Sequence, residues 1–297
     1  LVYVARFAIM KFTLWDFTKK FSSENDCLEW LFRRRYPGGV FCGKCCKQTK
    51  HYRVKGRRSY SCAQCGNHIH PTAGTIFHGT RTSLVNWFYV IYIMATNKAG
   101  TSAKHIEREL GVAYNTAWRM LHLVRSIMSP SELPLRGEVE VDETYLHPNV
   151  FKRSSARKKY GPTGNRTGTI LFGMVQRGGE VKIWHVKSAG ARVLHPLIEK
   201  NIELGTLIHS DGWRSYTDLP WMGYDHLWTN HGAGQFYTPD SHTQNIENVW
   251  SHIKRGVKGV YRHVSPKYLQ LYANEYAWRY SHRDDESMFW ILLFGIL

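Results

Sequence analysis

The chain has 297 residues, 43% apolar and 14% aromatic with 11 Trp and 17 Tyr, which excludes a protein that stays disordered for want of a core. Forty Lys and Arg against 23 Asp and Glu leave a formal charge of +17, a surface field that draws polyanions. No run of 18 apolar residues occurs, Met288 to Leu297 being the nearest approach, so no membrane-spanning helix is predicted.

Leu1 to Met10 lack the charged start, long apolar stretch and small-residue cleavage site of a secretion signal, so the expectation is a cytoplasmic protein in which Met10 can serve as the start. Within residues 10–37, Phe12, Leu14, Phe17, Phe21, Cys27, Leu28, Leu31 and Phe32 recur at helical spacing and predict a helix pair. Residues 38–76 change texture, with Gly38, Gly39, Gly43, Gly56, Gly66 and Gly74 cutting the chain into short segments. Cys42-Gly-Lys-Cys45 and Cys62-Ala-Gln-Cys65 lie there with 16 residues between Cys45 and Cys62, the spacing of a four-cysteine zinc site. His51 to Val54 and Arg58 to Ser61 would be the ribbon arms, and a Zn²⁺ with all four positions filled would be structural. Free buried cysteines are the alternative; Cys27 and Cys46, left over, read as packing residues.

Helical periodicity returns from Leu84 to Ile127, inside a region of residues 77–130. Thr101 to Val112 and Ala113 to Leu123 read as helix, glycine turn and helix, with Ile106, Leu110, Val112, Ala117, Met120 and Leu121 in the core. In a DNA-binding helix-turn-helix, Tyr114, Asn115, Thr116, Trp118 and Arg119 would open the recognition helix, with Lys104 a further DNA contact. An ordinary helical hairpin would carry the same pattern. Pro130 and Pro134 then mark a linker.

Residues 136–284 read as one α/β domain. Glu138 to Tyr145 alternates apolar residues with acids, and Thr169 to Gln176 and Val181 to Lys187 are β-rich runs joined by Arg177-Gly178-Gly179. A helix over Leu194 to Glu203, a short strand over Thr206 to His209 and a long helix over Thr243 to Val257 follow, which suggests a mixed sheet flanked by helices. Between the first strand and the hairpin, Lys152 to Arg166 holds six basic residues and no acid; it reads as a solvated loop or one that orders on a DNA backbone.

Three acids stand at places from which they could share one cleft: Asp142 in the first strand, Asp211 just after the short strand, Glu247 early in the long helix. Carboxylates suit the two Mg²⁺ ions that activate a hydroxyl and stabilise a leaving oxyanion in phosphodiester cleavage. Ordinary surface acids would look the same in sequence, and Glu140 and Glu143 compete within the strand; alternation puts Glu140 and Asp142 on one face and Glu143 on the other.

The ordered motifs go further. CxxC…CxxC, Thr72-Ala-Gly-Thr-Ile-Phe-His78, Asn115-Thr-Ala-Trp-Arg-Met120, Val139-Glu-Val-Asp-Glu-Thr-Tyr145, Ser210-Asp-Gly-Trp-Arg-Ser-Tyr216, Asn245-Ile-Glu-Asn-Val-Trp250 and Tyr272-Ala-Asn-Glu-Tyr276 with Arg279 and Arg283 run through residues 38 to 290. In this order they resemble the IS1595 family of insertion-sequence transposases, the ISXO2-like group, which is similar to eukaryotic Merlin elements. The resemblance implies an RNase H-like catalytic domain behind the zinc ribbon and helix-turn-helix, with Asp142, Asp211 and Glu247 as a DDE triad holding Mg²⁺ or Mn²⁺. Some relatives carry Asn at the third place, and Asn245 and Asn248 are close by. It also implies double-stranded DNA as partner, both element terminal repeats and target, a homo-oligomer on that DNA, and a bacterial protein at the nucleoid. A catalytically dead zinc-ribbon regulator and a nuclease that cuts without joining are the alternatives.

On the helix after Glu247, Lys254 and Lys258 recur on its face, with Arg255 and Arg262 beside them; these could hold phosphates or form a solvated basic face. Trp213 and Trp250 could stack on a splayed base or fill core, and His209, His231 and His242 could move protons or be structural. Residues 285–297 form an apolar tail that needs a partner surface.

Overall fold

The computed structural model describes residues 11–146, 169–229 and 242–297, so the basic stretch Lys152 to Arg166 and His231 lie outside the described residues. The chain divides into two compact units, one formed by residues 1–97, 103–127 and 284–297, the other by residues 98–102 and 128–283.

The first unit begins with α1 (Leu14–Lys20) and α2 (Glu24–Arg35), each started by a capping box, Thr13 with Asp16 and Ser23 with Asp26. A ribbon follows, made of the hairpin β1 (Val40–Cys42) and β2 (Lys47–Thr49) and the three-stranded β3 (His51–Arg53), β4 (Tyr60–Cys62) and β5 (His68–Ile69). α3 (Leu84–Thr96) is buried almost all round through Trp87, Phe88, Val90, Ile91 and Met94 and forms the centre of the unit. α4 (Ala103–Leu110) and α5 (Tyr114–Ser126) pack on each other across a turn at Gly111, whose φ of +65° is one that side chains with a Cβ resist. Ile106, Ala117, Met120 and Leu121 are buried there as expected, whereas Leu110 and Val112 are only half-buried. The last helix, α9 (Met288–Phe294), returns to this unit and lies against α3. Its Phe289 ring stacks on Phe12 at 4.9 Å and meets Phe17, Phe21 and Tyr92, so the apolar tail finds its partner surface within the chain.

The second unit is built on a five-stranded sheet. β6 (Glu138–Leu146), β7 (Thr169–Gln176) and β8 (Val181–Val186) form an antiparallel meander, and β9 (Leu207–Asp211) and β10 (Asp225–Thr229) add in parallel on the other side of β6, giving the order β10-β9-β6-β7-β8. Renumbered within the domain this is 5-4-1-2-3, with only the second strand reversed, and it is the RNase H-like arrangement that the motifs implied. α6 (Ala191–Asn201) covers one face and α7 (Gln244–Gly256) with α8 (Leu269–Ser281) the other.

Strand alternation decides which side chain meets which helix. Val139 and Val141 join Leu194 and Ile198 in the α6-side core, so Glu140 and Asp142 face α7. β10 and α8 were not foreseen from the sequence, and Asp211 ends its strand rather than following it.

Candidate active site and metal-binding residues

The pairing Glu140↔His209 between the parallel strands β6 and β9, carried two residues on, brings Asp142 level with Asp211 on the α7-facing side of the sheet. The proximity is felt electrostatically: burial, then Glu143, then Asp211 push the Asp142 carboxyl up to about 8, while a hydrogen bond from Trp250 works the other way. That bond runs from Trp250 Nε1 to Asp142 Oδ2 at 2.8 Å. Trp250 can lie so close because β7 has Gly173 opposite Asp142; a Cβ there would come within 2.6 Å of the indole. Trp250 is therefore core and a holder of Asp142 at once. Trp213, 45% exposed, donates its indole N–H to the Ala189 carbonyl at 3.2 Å.

Glu247 lies in the first turn of α7, exposed, with the Thr243 hydroxyl donating to its Oε1 at 3.2 Å. It lines an open cleft of about 490 Å³ together with Asp142, Glu143, Thr144, Tyr145, Trp250, Ser251 and Lys254. Lys254 thus shares the cleft with Glu247, as its i+7 spacing predicts. Lys258, exposed, lies in the π-helical turn Val257–Tyr261 that follows the end of α7 at Gly256, and is not among the residues that line the cleft. Arg255, also exposed, turns back on its own helix through the Ser251 carbonyl and His252.

The competing acids have other partners. Glu143, which borders the cleft as well, accepts from the fully buried Tyr216 hydroxyl at 2.7 Å. Glu140, 0% exposed, accepts from Arg177 Nε at 3.0 Å and from the start of α7. His209 is buried beside Glu138, and burial lowers its pKa; His242 neighbours Glu140 at 3.4 Å. His209 and His242 thus stand beside the acids Glu138 and Glu140 and are not among the residues that line the cleft.

Do these residues fit divalent ions? Asp142 is forced toward protonation by acid neighbours and shielding, the strain a cation relieves, and its Oδ1 stays clear of the Trp250 bond. The carboxylates and hydroxyls that line the cleft offer hard oxygens, as Mg²⁺ and Mn²⁺ prefer. Asp142, Asp211 and Glu247 do not draw within 4.8 Å of one another; among the described residues the four cysteines alone form such a group.

Cys42, Cys45, Cys62 and Cys65 bring their sulfurs together, with Cys42 to Cys65 at 3.5 Å and Cys45 to Cys62 at 3.9 Å. The Thr49 hydroxyl at 3.2 Å and backbone amides hold the Cys62 thiol down at about 5, while hydrogen bonding to Cys65 leads the rise of Cys45 to about 12. Cys27 is buried as expected, but Cys46 is exposed at φ +52°, part of the turn rather than of a core.

On the helix-turn-helix, Tyr114, Asn115 and Arg119 open α5 exposed and Thr116 half-buried, so the recognition positions are presented outward; Trp118 stacks on His122 at 3.8 Å. Lys104 is exposed and paired with Glu107 on its own helix. A feature that motif reading passed over lies in plain sequence: between Glu29 and Glu107 there is no acidic residue, against 13 Lys and Arg. Arg35, Arg53 and Arg58 spend their guanidiniums on backbone carbonyls, holding the ribbon's surroundings in place. Lys44, Lys47, Lys50, Lys55 and Arg57 are exposed.

Comparison with known proteins agrees with this layout. The ISXO2-like transposase domain matches residues 134–281 and the transposase zinc-ribbon domain residues 22–68. A protein in transposable element ISH50 of Halobacterium salinarum is 25% identical over 271 residues, covering 86% of this chain and 91% of the relative. A transposase-like protein of Haemophilus influenzae is 25% identical over 107 residues, 36% of this chain and 85% of its own. A chain in the Mos1 strand transfer complex aligns over 69% of this chain and 73% of its own at 15% identity and a TM-score of 0.31, too loose a superposition to bear on the fold. Two domains of one transposase family, matched in the family's order over a chain with that family's sheet, leave one conclusion: the chain belongs to the IS1595 family of transposases, in its ISXO2-like group.

Proposed function

We propose that the protein binds the ends of its insertion sequence and catalyses metal-dependent DNA cleavage and strand transfer, with Asp142, Asp211 and Glu247 holding Mg²⁺ or Mn²⁺. One observation carries the reading: a buried aspartate raised to about 8 lines a cleft to which a helix brings an acid and a lysine, and the strand register sets it level with a second aspartate on the neighbouring parallel strand. Divalent ions held there would activate the attacking hydroxyl and stabilise the departing oxyanion.

The chain's own residues do the rest. Trp250 holds one oxygen of Asp142 through its indole N–H. Lys254, seven residues after Glu247, places a cation beside a phosphate bound there. Cleavage adds a water oxygen to the phosphorus and releases a 3′-hydroxyl; joining adds that 3′-oxygen to a target phosphorus and releases the target's own 3′-oxygen. Zinc on the four cysteines would be structural, because the strands around it are only two or three residues long and cannot bury a core of their own. Tyr114, Asn115, Thr116 and Arg119 would read base edges, with Lys104 and the acid-free stretch supplying phosphate contacts. The protein would act as a homo-oligomer on two DNA ends, in the bacterial cytoplasm at the nucleoid.

The test is an assay on labelled duplexes carrying the element ends, scored for nicked and joined products. Asp142→Asn, Asp211→Asn and Glu247→Gln should each lower both products by about three orders of magnitude, since ion-held charge is worth several kcal/mol in the transition state, while end binding in a gel shift persists. Full product formation by Asp142→Asn would end the enzymatic reading and leave a DNA-binding regulator.

A further inference from the structure

β6 grips α7 at two points that bracket Glu247. At the second, Trp250 donates to Asp142. At the first, Glu140 Oε2 accepts from the backbone N–H of Asn245 at 2.9 Å and of Ile246 at 3.1 Å, and its Oε1 accepts from the Asn245 side-chain amide at 2.8 Å. Thr243, at the position whose side chain ordinarily caps a helix, makes no capping hydrogen bond. The cap is supplied instead from a strand 105 residues earlier. Glu140 is 0% exposed and also takes the Arg177 guanidinium at 3.0 Å. Its acceptor sites are filled, so no lone pair is left to turn toward an ion.

Glu247 has little of its own to fix it: it is exposed, and the Thr243 hydroxyl is its side-chain contact. Its place opposite Asp142 therefore follows from the axial position and rotation of α7, where a slip of one residue amounts to about 1.5 Å and 100°. Glu140 and Asp142 are two residues apart on one face of one strand, so anchoring α7 on Glu140 puts Glu247 into a fixed relation with Asp142. We propose that Glu140 and Asn245 are a positioning pair that sets Glu247 against Asp142, the third acid of the cleft being placed by a fourth that holds no ion. This inference rests on the reading of Asp142, Asp211 and Glu247 as the ion-holding acids.

The test is Mn²⁺ binding to the full chain, followed by the electron paramagnetic resonance of the free ion, with thermal melting run in parallel. Glu140→Gln should weaken Mn²⁺ binding by about tenfold, the range typical of groups that orient metal ligands, and the Glu140→Gln, Glu247→Gln double variant should bind no more weakly than Glu247→Gln alone. Asn245→Ala, which leaves both backbone donors in place, should give a smaller loss in the same direction. A folded Glu140→Gln protein that binds Mn²⁺ like the parent would overturn the proposal, as would an additive double variant, which would make Glu140 a ligand in its own right. If Glu140→Gln does not fold, Asn245→Ala decides: unchanged Mn²⁺ binding rejects the pair. Asp142→Asn separates the two levels, because parent-like Mn²⁺ binding by that variant removes the ion site itself and not merely its positioning.

Discussion

Asp142 answers two demands: it must sit deep enough to hold an ion rigidly, yet remain an anion. The first is met at the expense of the second, and its carboxyl rises from 3.8 to about 8. A pKa raised by folding means that the group's contribution to stability is fully present below about 4 and is lost as pH climbs through about 8. In protein freed of divalent ions, Asp142→Asn should therefore melt near the parent at pH about 4 and well above it at pH about 9, with Mn²⁺ closing the gap by stabilising the parent alone. Equal melting curves at both pH values would show that the site carries no such strain. That Glu140 and Asp142 share a face is legible in the sequence, because strand period is two. The division of labour between them is not, since it depends on which acid meets the first turn of a helix more than a hundred residues later.

Among elements, those with contrasting faces announced themselves. β6 alternates, and α5 pairs Ala117, Met120, Leu121 and Val124 inward with an exposed opening turn. α8 did not, because it is buried continuously from Tyr272 to Arg279, with Glu275 and Arg279 paired at 2.7 Å inside, so no polar stripe marks its period. β10 escaped for the opposite reason: four of its five residues are at least partly exposed. The docking of α7 on β7 depends on a missing side chain, since a Cβ at Gly173 would fall 2.6 Å from Trp250 and 2.8 Å from Ile246. Gly173→Ala should destabilise the protein by about 1–3 kcal/mol in chemical denaturation, the range for overpacking a filled core, and should loosen Mn²⁺ binding through displacement of Trp250. Unchanged stability with parent-like tryptophan fluorescence would mean that the helix rides on the strand less tightly than described.

At the scale of the molecule, charge is apportioned by region. The stretch from Trp30 to Ile106 holds 13 Lys and Arg and no acid, while the acids of β6 belong to the second unit. If the ribbon's Lys44, Lys47 and Lys50 contact phosphates, replacing all three with Ala should flatten the plot of log Kd against log salt by about three, near one per lost contact; an unchanged slope would place the DNA elsewhere. The two CxxC turns are legible from spacing alone and the RNase H-like fold from the ordered motifs, whereas the order of the strands rests on the parallel addition of β9 and β10 beside β6, a pairing that no local pattern encodes. The return of α9 has a further consequence, for synthesis. Phe289 completes an aromatic cluster with Phe12, Phe17, Phe21 and Tyr92, so that cluster cannot be completed until residues 128–283 of the second unit have been translated. A product cut short before Asp284 would expose that cluster to chaperones and proteases, and in this way the amino-terminal half reports on whether the carboxy-terminal half has been made.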